Sequence, residues 1–227
     1  RYTKVLEIMR RDNIGFVLYN EEKFPKKLLN IERPVHYLFY RGSLPKEDER
    51  TCGIVGARNC TEYGRSKAFE VAKNLSSSGI SIISGMARGV DKAAHEGSLA
   101  AGGKTYAVLG SGVDICYPQD NIEIYEMIRE NGGVISEFLP GSSPMAWHFP
   151  HRNRIISGLS DTIAVIEAGK KSGSLITASL ALQMGRDIFA LPGRVDDKQS
   201  MGCNELIRDG AGMIFNGLEI CESMGCY

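Results

Sequence analysis

The chain has no surplus of either charge: 27 basic residues stand against 27 acidic ones, a formal net charge of zero. No global field therefore draws it onto DNA or an anionic membrane, and any nucleic-acid contact must come from a local patch. It also lacks a CxxC pair. Its six cysteines (Cys52, Cys60, Cys116, Cys203, Cys221, Cys226) are irregularly spaced, with no secretory leader ahead of them. That pattern argues against a disulfide framework or zinc ribbon, so no metal site and a reducing, cytoplasmic compartment are expected. No apolar run approaches the ~18 to 20 residues that span a bilayer, which predicts a soluble protein without membrane contact. Internal repeats and low-complexity segments are missing too. What is present is 227 residues, 43% hydrophobic and 24% charged, enough for one substantial core and too apolar for a disordered chain.

From Thr51 onward, short runs rich in Val and Ile alternate with longer ones at helical spacing, separated by glycine. The short runs (52–55, 80–83, 105–109, 133–136, 162–166 and 187–191) predict parallel strands buried on both faces. The longer ones (62–77, 90–101, 121–130, 152–158 and 175–184) predict helices between them. The fold class expected is α/β, a doubly wound, mostly parallel, Rossmann-like sheet with right-handed crossovers. Residues 1–50 read as a helix end and two further strands (14–19 and 35–40) extending the same sheet. Residues 51–217 form the core of this division, with a short helix at 203–209 and a possible strand at 212–215. Residues 218–227 are a tail.

In such a sheet, ligands bind beyond the carboxyl ends of strands, where helix N-termini point their amides outward. The glycine-rich turns all fall there: Gly56-Ala57-Arg58-Asn59, then Ser84-Gly85-Met86-Ala87-Arg88-Gly89, then Gly110-Ser111-Gly112, then Glu167 to Ser174, which includes Ser172-Gly173-Ser174. Small residues admit an anionic backbone, and Arg58 and Arg88 are donors suited to phosphate. A single such loop is as readily a tight strand-helix turn with a solvated arginine; four at one sheet edge make a site.

Competing fingerprints fail. GxGxxG lacks its third glycine, since Ile115 stands in its place, so nicotinamide binding is unsupported. The stretch from Ser98 to Thr105 approaches a phosphate-binding P-loop, but it follows a helix and precedes a strand, the reverse of the required order. No GxSxG elbow exists, and Asp91 with His95 reads as a capping aspartate beside an ordinary histidine. Neither a catalytic residue nor a cofactor is expected.

The segment Trp147-His148-Phe149-Pro150-His151-Arg152-Asn153-Arg154 holds two aromatics, two histidines and two arginines, including the chain's one tryptophan. It suits stacking on unpaired bases beside phosphate contacts, and it equally suits an aromatic staple buried under a polar helix start.

These residues, in this order, resemble the DNA-processing protein A family (DprA, also called Smf). The resemblance rests on Gly53 to Arg58 with Tyr63-Gly64, Ser84 to Asp91 with His95, Gly110 to Asp114, Tyr117-Pro118, His148 to Leu159, Glu167-Ala168, Ser172 to Ala178 and Ala190 to Gly193. It implies an extended Rossmann fold that binds single-stranded DNA without sequence preference, protects strands taken up in natural transformation, loads the RecA recombinase and has no established catalytic activity. The DNA-binding set expected from loops and resemblance together is Gly56, Arg58, Ser84, Gly85, Arg88, Gly89, Gly110, Phe149, Arg152, Asn153, Arg154, Ser172, Gly173 and Ser174. A homodimer is implied through the end of the fold, at Leu206, Ile207, Met213, Ile214 and Phe215.

Two departures stand out. Many members carry a basic residue shortly before HFP where this chain has Met145-Ala146, so a phosphate contact is expected to be missing. The chain starts at Arg1 and stops at Tyr227 without the helical and winged-helix domains that often flank the family core, as a trimmed or minimal member would. The alternative class is a nucleotide-binding or nucleoside-monophosphate phosphoribohydrolase of the "Lonely guy" type in the same superfamily. Arg154 and the Ser172 to Thr177 turn occupy the matching places, but Ala178-Ser179-Leu180 supplies no acid where the PGGxGTxxE pattern needs one.

Overall fold

A computed structural model describes residues 2–226. In chain order the elements are α1 (Tyr2–Arg11), β1 (Gly15–Leu18), β2 (Tyr37–Gly42), β3 (Thr51–Val55), α2 (Glu62–Ser77), β4 (Ser81–Ser84), α3 (Val90–Ala100) and β5 (Thr105–Val108). They continue with α4 (Ile122–Asn131), β6 (Gly132–Ser136), α5 (His148–Leu159), β7 (Thr162–Val165), α6 (Gly173–Gln183), β8 (Asp187–Ala190), α7 (Met201–Arg208), β9 (Gly212–Met213) and α8 (Leu218–Ser223).

The strands form one nine-stranded sheet in the order β1-β2-β6-β5-β4-β3-β7-β8-β9. From β6 to β9 every pair is parallel, while β1 and β2 join antiparallel at one edge. The α/β class therefore matches the pattern of runs, and the N-terminal segment contributes β1 and β2 to the sheet. Every residue of β3 to β7 is buried, as strands covered on both faces require. The period-two alternation divides them between two cores. Val55, Ile83, Val108, Ile163 and Val165 pack with α5, α6 and the segment containing Leu28 and Val35. Cys52, Ile54, Ile82 and Ala164 pack against α2, α3 and α8. A third cluster joins β5 and β6 to α4 and α1.

The chain starts the parallel sheet at β3, winds through β4, β5 and β6 on one side, then returns to β7 on the other. Loops leaving β3 and β7 thus diverge at adjacent strand ends, which opens a crevice at the topological switch.

Three expectations are corrected. Helix α5 begins at His148, not at 152, because Pro150 sits in the first turn, where its missing N–H would have no intrahelical acceptor anyway. Residues 218–223 are not tail but α8, which buries Ile220 and Cys221 against α2. Within the expected interface set, Ile214 is completely buried in its own chain, because it follows β9 into the core under α2. Met213 and Phe215, its neighbours, point outward, and Leu206 and Ile207 are half-buried against the sheet.

Candidate nucleic-acid interface

Beyond the strand ends lies a cleft of two adjoining lobes, one of about 530 Å3 between the loop after β3 and the start of α6 and one of about 590 Å3 over the loops after β4 and β5, sharing Arg58, Tyr117, Phe149 and Arg152 as common walls. The loop after β3 carries Gly56 and Arg58 to its rim. Gly89 makes this loop possible: at φ +76° it lies against the carbonyls of Ala57 and Arg58, where a side chain would collide with backbone. The Arg58 guanidinium lies over the Phe149 ring, 5.0 Å from its centroid, and the other side of the site holds Tyr117, whose ring centroid is 5.9 Å from that of Phe149. A cation and two aromatic rings thus face one opening.

Arg152 forms the floor. It is only 5% exposed, its Nε has no hydrogen-bond partner, and the guanidinium makes no hydrogen bond to any described residue. Beside it, Asp91 is buried at the start of α3, where Oδ2 accepts from the Ala87 amide at 3.3 Å. Burial pushes the Asp91 carboxyl up, with the Arg152 charge opposing. Burial pushes the Arg152 guanidinium down, Asp91 raises it, and Arg58 lowers it again. Two arginines that repel one another across a shared cleft, one of them lacking donors' partners, leave room for a bound anion.

Of the residues expected from sequence, Gly56, Arg58, Arg88, Gly110, Phe149, Arg152, Asn153, Ser172, Gly173 and Ser174 line the cleft. Arg88 does so while paired with Asp120 at the surface. Ser172 caps α6, accepting from the Ser174 amide at 3.4 Å, and Asn153 Nδ2 donates to the Gly173 carbonyl at 3.4 Å. Four are not brought in. Arg154 turns to the far side of α5, donating to Glu137 Oε2 at 2.5 Å and to the Arg33 carbonyl at 3.0 Å. Ser84 donates to the Ile54 carbonyl at 2.6 Å inside the sheet. Gly85 and Gly89 act as spacers; a Cβ on Gly85 would strike Arg152 and Asp91. Asp91, Tyr117, Pro144 and Ala146 line the cleft without having been placed in the site set. The signal for Tyr117 was its position beside a proline in an aromatic-poor loop.

The family model described as DNA recombination-mediator protein A matches residues 15–225. This chain belongs to that family. It is 40% identical to DNA processing protein DprA of Streptococcus pneumoniae over 88% of its own length and 71% of that protein. It is 38% identical to Protein Smf of Synechocystis over 97% of its own length, although it spans only 56% of that relative. Among solved structures, DprA of S. pneumoniae superposes with a TM-score of 0.89 at 36% identity, covering 98% of this chain and 77% of that one. DprA of Helicobacter pylori, described for its single-stranded DNA binding mode, gives 0.81 at 29% identity over 93% of this chain and 95% of that one. A molybdenum cofactor binding protein from Rippkaea orientalis shares the fold alone, at 18% identity and a TM-score of 0.56. Among the described residues of this DprA/Smf family chain, no helix is long and apolar enough to cross a membrane.

Proposed function

We propose that this chain binds single-stranded DNA without sequence preference in this two-lobed cleft and serves as a recombination mediator. In that role it protects strands during DNA uptake and loads RecA onto them in the cytoplasm. The observation that carries the binding reading is Arg152, a nearly buried guanidinium whose Nε has no hydrogen-bond partner among the described residues, set beside Arg58 and the Phe149 ring. Its donors are satisfied by phosphate, while the ring offers a face to an unpaired base. Membership of the family supports the recombination role, as does the single-strand binding described for the H. pylori relative.

Binding, not turnover, is the reading the cleft favours. Asp91 is its one lining carboxylate among the described residues, and its oxygen faces the Ala87 amide and the Arg152 charge. It acts as a countercharge, and no cofactor enters the function. A homodimer through Met213 and Phe215, which are 47% and 57% exposed, brings two clefts into one assembly, with Leu206 and Ile207 at its border. Light scattering at tens of micromolar tests that assembly, and a strictly monomeric protein argues against it.

The deciding experiment is fluorescence anisotropy with oligo-dT, an equal-length duplex and a free mononucleotide. Oligo-dT is expected to bind most tightly. Equal affinity for the duplex overturns the single-strand reading, and tight binding with hydrolysis of a nucleoside monophosphate moves the protein to the phosphoribohydrolase class.

A further inference from the structure

We infer that Trp147, which lies outside the cleft, is a second stacking platform that receives the base next to the one held at Phe149, so that the strand leaves the cleft over the start of α5. The inference rests on reading the cleft as a single-strand site. Three observations carry it. Trp147 is 63% exposed, among the most exposed large apolar side chains of the molecule, and it is the one tryptophan in the sequence. A solvated indole contributes little to folding and offers a π-face to anything that approaches it.

Second, the ring is braced. Its centroid is 4.1 Å from that of His148 and 6.0 Å from that of Phe138, edge-on to both, while Phe138 and His148 are stacked at 3.8 Å. The His148 ring is anchored in turn by Nδ1 against the Gly110 carbonyl at 2.8 Å, and it is buried. An indole held perpendicular to two fixed rings, and still 63% exposed, presents a preset surface without spending conformational freedom when a base arrives.

Third, the platform is continuous with the cleft. Pro144 and Ala146 before it, and Phe149, Pro150 and Asn153 after it, all line the cleft, and Gly110, which anchors His148, lines it as well. Successive bases of a single strand can therefore meet Phe149 and Trp147 in turn. Among the described residues no cation lies over the indole, so this second contact is stacking alone and independent of sequence and salt.

Because the chain has a single tryptophan, its intrinsic fluorescence reports this contact directly. The full chain is titrated, with excitation selective for indole, with decathymidylate and with a strand of the same length that keeps one thymine, for the Phe149 position, and is otherwise abasic. Decathymidylate should quench the emission strongly, and the largely abasic strand should bind while quenching much less. Trp147→Ala should bind decathymidylate about 5-fold to 100-fold more weakly, the worth of one stacked base, with an unchanged salt slope, and Trp147→Phe should recover most of the loss. The side chain is solvated, so both variants are expected to fold. Equal quenching by the two strands, or wild-type affinity in Trp147→Ala, overturns the inference while leaving the cleft reading intact. No binding of decathymidylate by the wild-type chain overturns both.

Discussion

Arg152 and Asp91 stand on either side of the space that a side chain at Gly85 would fill, yet they make no hydrogen bond to each other. Glycine at that position is what lets the guanidinium approach β4, and the gap between the two charges is where an anion's oxygens can enter. The pair balances charge inside the fold while keeping the guanidinium donors available.

That relationship makes stability and binding separable. Arg152→Met leaves Asp91 buried without its countercharge and should cost about 1 to 3 kcal/mol of stability, moderated because Asp91 can take up a proton. Arg152→Met with Asp91→Asn removes both charges and should restore most of the stability but none of the binding. Urea midpoints and oligo-dT anisotropy on the same samples check this. Wild-type affinity in the folded double variant would remove Arg152 from the phosphate site.

Arg58 and Phe149 touch, but they should fail differently. Arg58→Ala loses a charge-assisted phosphate contact, about 1 to 3 kcal/mol, and should flatten the salt dependence. Phe149→Ala loses stacking of similar size with the slope nearly unchanged. With zero net charge, the wild-type slope per protomer should correspond to only about two to four phosphates. Anisotropy at several salt concentrations separates the two, and a slope that collapses in Phe149→Ala contradicts the division of labour.

Much of this arrangement was legible in the chain because buried parallel strands leave a strong signature: apolar runs too short for helices, each followed by a glycine-bearing turn. Tertiary contacts decided the rest. Arg152 and Arg154 are two residues apart on α5, about 200° around the helix, so only one can face the cleft, and nothing local says which. Glu137 and the Arg33 carbonyl settle it by claiming Arg154 from elements distant in sequence. Helix α8 has only six residues, too few for a period to show, and it forms because Ile220 and Cys221 find α2. Ile214 reads as one of a surface cluster in sequence because burial after a two-residue strand depends on which face β9 presents.

His95 gives a pH prediction. It is buried between the Gly85 carbonyl, 2.6 Å from Nε2, and the Thr105 hydroxyl, 2.6 Å from Nδ1. A carbonyl only accepts, so Nε2 carries the proton and Nδ1 accepts from Thr105. Burial pushes the imidazole from its ordinary 6.5 down to about 4. The unfolded chain therefore binds the extra proton first. The stability His95 contributes is full above about pH 6.5 and is lost as pH falls toward 4, by up to about 1.4 kcal/mol per pH unit. Asp91, raised by burial, works in the opposite sense, so the measurement is a difference. Urea unfolding of wild type and His95→Gln between pH 7 and 4.5 should show the wild-type advantage shrinking with acidification. An advantage that stays flat or grows contradicts the assigned state.

Ala146 supplies a prediction with a gain in place of a loss. It is exposed, it lines the cleft lobe that also holds Gly56, Arg58 and Arg152, and it stands just before His148-Phe149-Pro150, where the family resemblance leads to the expectation of a basic residue. A lysine there meets no buried surface, so Ala146→Lys should leave stability within about 0.5 kcal/mol of wild type. Its ammonium would extend over the cleft mouth on a flexible stem and reach a phosphate adjacent to those held by Arg58 and Arg152. One additional phosphate contact should steepen the logarithmic salt slope by about 0.7 for a single strand and raise affinity several-fold at low salt, with the gain vanishing as salt is increased. Ala146→Gln, of similar length without charge, should do neither. Anisotropy with oligo-dT from low to high salt reads all three proteins. A lysine variant with an unchanged slope would mean that the strand does not pass over this edge of the cleft, and the path from Phe149 over the start of α5 to Trp147 would have to be redrawn.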